Sequence, residues 1–196
     1  MRDVRSSLRR NCSCFLSLFK LYSTVLILKF FPDRLPSDID QITDFLYLGS
    51  QETSRNYELL KKRLKITCLI DATNNPKYYN RPAEEKSTFD DYLAIKIEDR
   101  QRVDIAKYFD TVSDKIDQCS KNGATFLFCR AGISRSATFC LAYLMKYKKL
   151  SLRQAYDVVR QKRFIMPNSG FWRQLINYEY QIFGQNSLTP KDILKL

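Results

Sequence analysis

One stretch constrains this chain more than any other: residues 124–138, ATFLFCRAGISRSAT. Ala124–Phe128 is a short unbroken apolar run of aromatic and β-branched residues, which reads as a strand buried on both faces. From Ser134 to Lys148 the apolar residues recur at helical spacing. A buried strand, a tight loop and a helix must therefore follow one another within a few residues. Elsewhere in the chain, Phe45–Leu48, Ile66–Ile70 and Leu93–Ile97 read as strands. Helices are predicted over about residues 53–63, 105–119, 152–162 and 170–182. That alternation predicts an α/β single domain: a central, mainly parallel sheet flanked by helices.

The loop has a chemical reading of its own. Successive N–H groups of a loop wrapped at a helix N-terminus converge on one spot, and the helix dipole adds positive potential there. A phosphoryl dianion suits such a cradle, formed here by Arg130, Ala131, Gly132, Ile133 and Ser134. Gly132 permits the tight curvature. Arg135 closes the ring and offers a bidentate grip on phosphate oxygens. The same field lowers the pKa of a thiol, which makes Cys129 the candidate nucleophile. Ser136 is placed to donate a hydrogen bond to that sulfur. The leaving oxygen needs a proton, and the chain has no histidine to supply it. That absence also excludes Ser-His-Asp and Cys-His catalysis and most catalytic zinc sites. The candidate acids are carboxylates just past the strand ending at Ile97: Asp99 first, with Glu98 and Asp104 behind it. No metal or organic cofactor is called for.

The six cysteines form no C-x-x-C pair, so neither zinc nor a redox motif is indicated. Cys68 and Cys140 read as core thiols, with a protective disulfide to Cys129 as the alternative. The formal charge is +12. Seven basic side chains fall within residues 1–35, against Asp3 and Asp33. The remainder is only moderately basic, which argues against a nucleic-acid partner. Residues 1–35 read as a basic and apolar extension. Within it, residues 1–31 suit an amphipathic surface helix, a mitochondrial presequence or an unaddressed extension. Lys20 and Lys29 make 15–31 a poor transmembrane span. The catalytic domain is expected over 36–186 and a tail over 187–196, in an intracellular, most simply cytoplasmic, protein. The oligomeric state is left open.

The loop FCRAGISRS resembles the dual-specificity protein phosphatases, within the cysteine-based protein tyrosine phosphatase superfamily, whose loop reads HCxxGxSRS. The likeness runs from about Ile42 to Phe183. It includes Phe45–Gly49 (FLYLG), Asp99 nine residues before Tyr108, Ala142–Met145 (AYLM) and Pro167–Leu175 (PNSGFWRQL). The last stretch is similar to the small atypical members. The resemblance implies phosphorylated proteins as substrates, Asp99 as general acid and Asn168 as a brace for the loop. No lysine occupies the inner loop positions, which favours protein over phosphoinositide or RNA substrates. Arg130 would favour acidic sequence around the phosphosite. One departure stands out: Phe128 replaces the histidine of the family. The resemblance gives that imidazole a part in orienting the cysteine and favouring its thiolate, so its loss implies a weaker thiolate and slower turnover. A module that binds phosphoproteins with little turnover is the alternative reading.

Overall fold

The computed structural model describes residues 39–74 and 89–194, all within the unit Asp38–Leu196. The amphipathic or membrane-surface reading of residues 1–31 lies outside the described residues. Among the described residues, no helix is long and apolar enough to cross a membrane.

Among the described residues, five strands form one sheet: β1 (Ile39–Gln41), β2 (Leu46–Ser50), β3 (Ile66–Asp71), β4 (Asp91–Ala94) and β5 (Ala124–Cys129). Their spatial order is β1-β2-β5-β3-β4. Only β1 runs antiparallel, against β2; the β2–β5, β5–β3 and β3–β4 pairs are parallel. The expected α/β architecture with a mainly parallel sheet is what the chain adopts. β5 is buried along its whole length. It is flanked by parallel neighbours on both sides, which is why its sequence is continuously apolar rather than alternating.

The helices are α1 (Phe109–Ser120), α2 (Arg135–Lys148), α3 (Leu152–Lys162), α4 (Ser169–Phe183) and the short α5 (Pro190–Ile193). α2 lies at the centre, with every residue from Arg135 to Met145 buried. Its burial all round is the mark of a core helix, not a surface one. α3 starts at a capping box, with Ser151 and Gln154 each satisfying the other's backbone N–H. Glu179 of α4 is buried. It accepts hydrogen bonds from Leu152 N (2.7 Å), Ser187 N (2.9 Å) and Ser187 Oγ (2.6 Å), tying the chain after α4 to the start of α3.

Three elements differ from expectation. The helix expected over 53–63 is two pieces, a 3-10 turn (Thr53–Arg55) and a wide, π-type helix (Glu58–Arg63). Asn56 separates them, and its side chain accepts from Leu59 N at 3.0 Å, opening a new helix instead of extending the old one. β1 is three residues long, too short to show a period. β4 comes earlier than Leu93–Ile97. Ile95 and Ile97 are buried, but in the main core as loop residues. The ladder ends after Ile95 N–H donates to Asp71 O (2.8 Å): Thr73 N–H turns to the Asp71 carboxylate (2.8 Å), and further on the carbonyl of Ile97 accepts from Arg135 Nη1 (3.0 Å).

The sheet divides the interior. On the helical face Leu127 and Cys129 join the main core. On the other face Ala124, Phe126 and Phe128 join a smaller cluster with Leu60, Ile66, Leu69 and Phe89. Successive side chains of a strand point to opposite faces, so Phe128 and Cys129 are neighbours in sequence and lie on opposite sides of the sheet. The Phe128 ring is fully buried and stacks on Phe126, with centroids 5.3 Å apart. Phe128→His places a polar ring in that apolar cluster. It is expected to lower stability by about 1–3 kcal/mol, read as a lower urea midpoint at unchanged slope.

Candidate active site

The loop between β5 and α2 lies at the C-terminal ends of the parallel strands, where ligands bind in open α/β sheets. Its shape is held from outside. The carbonyl of Arg130 accepts from Gln51 N (3.3 Å) and that of Ile133 from Met166 N (2.9 Å). The carbonyls of Ala131 and Gly132 accept from Arg163 Nη2 (3.1 Å) and Nε (2.8 Å). That of Ser134 accepts from both the N–H and the hydroxyl of Thr138, each at 2.8 Å. Five consecutive carbonyls are thus drawn away from the concave side. Peptide units so oriented turn their N–H groups inward, forming a nest for an anion. Gly132 has φ of +70°, and a Cβ there would collide with the carbonyl of Gly49 and with Arg163. Glycine is required at this position by both backbone and space.

Cys129 ends β5, buried on the concave side of the loop. Burial pushes its thiol pKa up. The Arg135 guanidinium, the Ser136 hydroxyl and the N–H groups of Ser136 and Gly132 outweigh that, and the net direction is down. Ser136 Oγ lies 3.2 Å from the sulfur, as donor. Each of these influences comes from the loop or the first turn of α2. None needs a side chain at position 128, which packs across the sheet.

Arg135 is 7% exposed. Its Nη1 is committed to Ile97, and its Nε makes no hydrogen bond, standing 3.7 Å from Asp99 Oδ2. A buried donor without a partner is costly, so it is a ready contact for an incoming anion. Asp99 is held at the rim. Its Oδ1 accepts from Ser134 Oγ and from Asn168 Nδ2, both at 2.8 Å, and its side chain remains 35% exposed. Glu98 instead pairs with Arg100 (2.9 Å) and accepts from Asn74 (3.3 Å). Asp104 accepts from Lys107 N (3.4 Å) at the turn before α1.

Asn168 joins three parts of the site. It caps α4 by accepting from Gly170 N and Phe171 N, both at 3.0 Å. Its own N–H donates to Ser134 Oγ (3.3 Å) and its amide to Asp99. The next turn needs Gly170, since a Cβ there would overlap the backbone of Gln101 in the acid-bearing loop. The structure therefore brings Cys129, Arg135, Ser136, Ser134, Asp99 and Asn168 into one cluster. Arg130 stands exposed beside it.

Sequence reasoning missed Arg163 and Asp40. Arg163 is almost fully buried and ties two loop carbonyls to Asp40 Oδ2 of β1, the last at 2.8 Å. Nothing in the local pattern distinguishes it from the basic residues of α3 that precede it. Only the fold puts it behind the loop. Asp71 was missed for the same reason. Fully buried, it accepts from Thr73 N (2.8 Å) and Tyr92 OH (3.0 Å), fixing the turn whose Ala72 N–H donates to Phe128 O (2.8 Å).

Removing Arg163 leaves buried carbonyls and a carboxylate without their donor. Arg163→Gln is expected to cost about 3–5 kcal/mol of stability. Wherever the variant is still folded, its affinity for phosphate or vanadate should fall, as measured by competition. For Phe128→His, titration of the Cys129 thiol by alkylation rate against pH is expected to give nearly the wild-type pKa, since the groups that lower it are unchanged.

The geometry matches what the comparisons find. Residues 46–181 match the family model described as the dual specificity phosphatase catalytic domain. "Dual specificity protein phosphatase 14" of Mus musculus is 47% identical over 162 residues, covering 80% of this chain and 78% of that one. "Dual specificity protein phosphatase 18" of Rattus norvegicus is 38% identical over 163 residues, covering 81% and 75%. Among solved structures, human DUSP28 superposes with a TM-score of 0.67 at 26% identity, covering 75% of this chain and 96% of that one. The human tyrosine phosphatase-like serine/threonine/tyrosine-interacting protein gives 0.65 at 28% identity, covering 73% and 96%. With its catalytic loop inside the matched span, this chain belongs to the dual specificity phosphatase family, close to its atypical members.

Proposed function

We propose that the chain hydrolyses phosphotyrosine and phosphoserine or phosphothreonine on proteins through a cysteinyl-phosphate intermediate. The observation that carries this reading is the loop with five outward-held carbonyls, closing around a thiol whose pKa is lowered. An anion nest alone would bind phosphate. A depressed thiol at its floor and a carboxylate at its rim add what turnover requires.

The substrate phosphoryl group is received by the loop N–H groups and by Arg135, whose planar fork suits two oxygens. The Cys129 thiolate attacks phosphorus in line with the leaving oxygen, and an S–P bond forms as the O–P bond breaks. Asp99, in its protonated form, gives its proton to the leaving alkoxide or phenoxide. In the second step Asp99, now a carboxylate, takes a proton from water. That water attacks phosphorus, and the S–P bonding pair returns to Cys129. Ser136 donates a hydrogen bond to the departing thiolate. Asn168 and Ser134 act as positioning residues, holding Asp99 over the nest. Neither step calls for a metal, since nucleophile, acid and phosphate ligands are all supplied by the chain.

The exposed Arg130 beside the loop favours acidic residues next to the phosphosite, and the absence of lysine from positions 130–134 favours proteins over phosphoinositides. One relative in structure is named as a phosphatase-like interacting protein. The nucleophile, arginine, serine and acid of this chain together favour turnover over binding alone.

The test is hydrolysis of aryl phosphates with chelator present. Cys129→Ser should abolish turnover. In the wild type, kcat/KM should fall as pH drops through the thiolate pKa, which lies below the ordinary thiol range. Asp99→Asn should slow release of a poor leaving group by about 10²-fold or more, and of p-nitrophenol much less. Wild type as inert as Cys129→Ser, yet still binding phosphopeptide, would establish the binding module instead.

A further inference from the structure

A second group of reactive side chains lies away from the phosphate loop, at the edge of the sheet. Cys68 of β3 is the register partner of Asp91 of β4. Cys119, in the last turn of α1, points its Sγ at Asp91 Oδ2, 3.6 Å away. The other oxygen of that carboxylate holds Lys115 Nζ at 2.5 Å, one turn before Cys119 on the same helix. Cys119 thus donates to Asp91, the register partner of Cys68, and each thiol is the strongest influence on the other's protonation. Both cysteines are buried in the main core. The ion pair that covers them is at the surface, with the Lys115 side chain 21% and the Asp91 side chain 44% exposed.

Two interacting cysteines in a core are not needed for packing, which any small apolar pair would satisfy. The environment also makes them unequal. Cys119 is drawn down, first by its interaction with Cys68 and then by the Lys115 ammonium, against the cost of burial and of the Asp91 carboxylate beside it. Cys68 is pushed up by Cys119 and by burial. One thiol is set up to ionise under a lysine, and its neighbour to keep its proton.

We propose that Cys68 and Cys119 are a redox-active dithiol that peroxides convert to a disulfide between β3 and α1, at a site separate from Cys129. The Cys119 thiolate attacks one peroxide oxygen. The O–O bond breaks, hydroxide leaves, and Cys119 becomes a sulfenic acid. Cys68 then attacks the sulfenic sulfur. The S–S bond forms as the S–O bond breaks, and the Cys68 proton goes to the departing hydroxide as water. Overall, two thiols lose two electrons and two protons, and hydrogen peroxide becomes two waters. Lys115 and Asp91, which part at the surface to admit the oxidant, act as positioning residues. The dithiol does not depend on the phosphatase reading. It also competes with the alternative of a Cys68–Cys129 disulfide, since Cys119 interacts directly with Cys68.

The test uses the full chain treated with graded hydrogen peroxide, then denatured, alkylated with N-ethylmaleimide, digested and measured by mass spectrometry. The expected product is a Cys68–Cys119 linked peptide, two hydrogens lighter than the sum of its parts and released by dithiothreitol. Lys115→Met should slow its formation several-fold without changing the rate at which Cys129 is oxidised. Repeating the treatment on Cys129→Ser should leave the linked peptide in place. Recovery of Cys68 and Cys119 both alkylated, at doses that oxidise Cys129 fully, would overturn the proposal. So would a linked peptide joining Cys68 to Cys129.

Discussion

The site depends on where five consecutive backbone carbonyls point. Left to itself, a loop of residues 130–134 would expose carbonyls and N–H groups alike, and a dianion would meet as much repulsion as attraction. Each carbonyl here has an external donor: Gln51 beyond β2, Arg163 after α3, Met166 before α4 and Thr138 in α2. The cradle's positive lining is therefore built by the packing around it. Arg163 carries the largest share. It binds two adjacent carbonyls with one rigid fork and is itself anchored by Asp40 on the edge strand.

The acid-bearing loop is joined to this cradle by contacts that also hold the fold. Asn168 both starts α4 and holds Asp99, so helix entry and carboxylate position are set by one side chain. Gly170 lets the backbone at Gln101 approach α4 closely. Arg135 reaches in the other direction, donating to the carbonyl of Ile97 two residues before Asp99.

The alternation of side chains along β5 explains how the protein accommodates Phe128. A residue on the far side of the sheet reaches Cys129 only through backbone. The groups that favour its thiolate come from the loop and α2. Aromatic packing with Phe126 is what position 128 supplies, so any weakening of the thiolate by the loss of a histidine there would have to act through the backbone. The edge of the sheet shows the opposite case. Cys68 and Cys119 are far apart in sequence and ordinary as core residues, yet Asp91, the register partner of Cys68, takes both the Cys119 thiol and the Lys115 ammonium.

Much of this protein was legible in its sequence, because its signals are local. The apolar run of β5, the glycine at position 132 and the five-residue spacing from Cys129 to Arg135 are constraints a chain must meet within a dozen residues. Periodicity likewise located α1 to α4 and three of the strands. Tertiary structure decided the rest. It set the break at Asn56, the early end of β4 and the antiparallel β1, whose signals are too short or are overridden by contacts from elsewhere. It also tied Asp99, already first among the candidate acids, to the loop by hydrogen bonds from Ser134 and Asn168. Arg163, Asp40 and Asp71 could be found no other way. A buried charge is recognised by its partners, and those partners come from segments that only folding brings together.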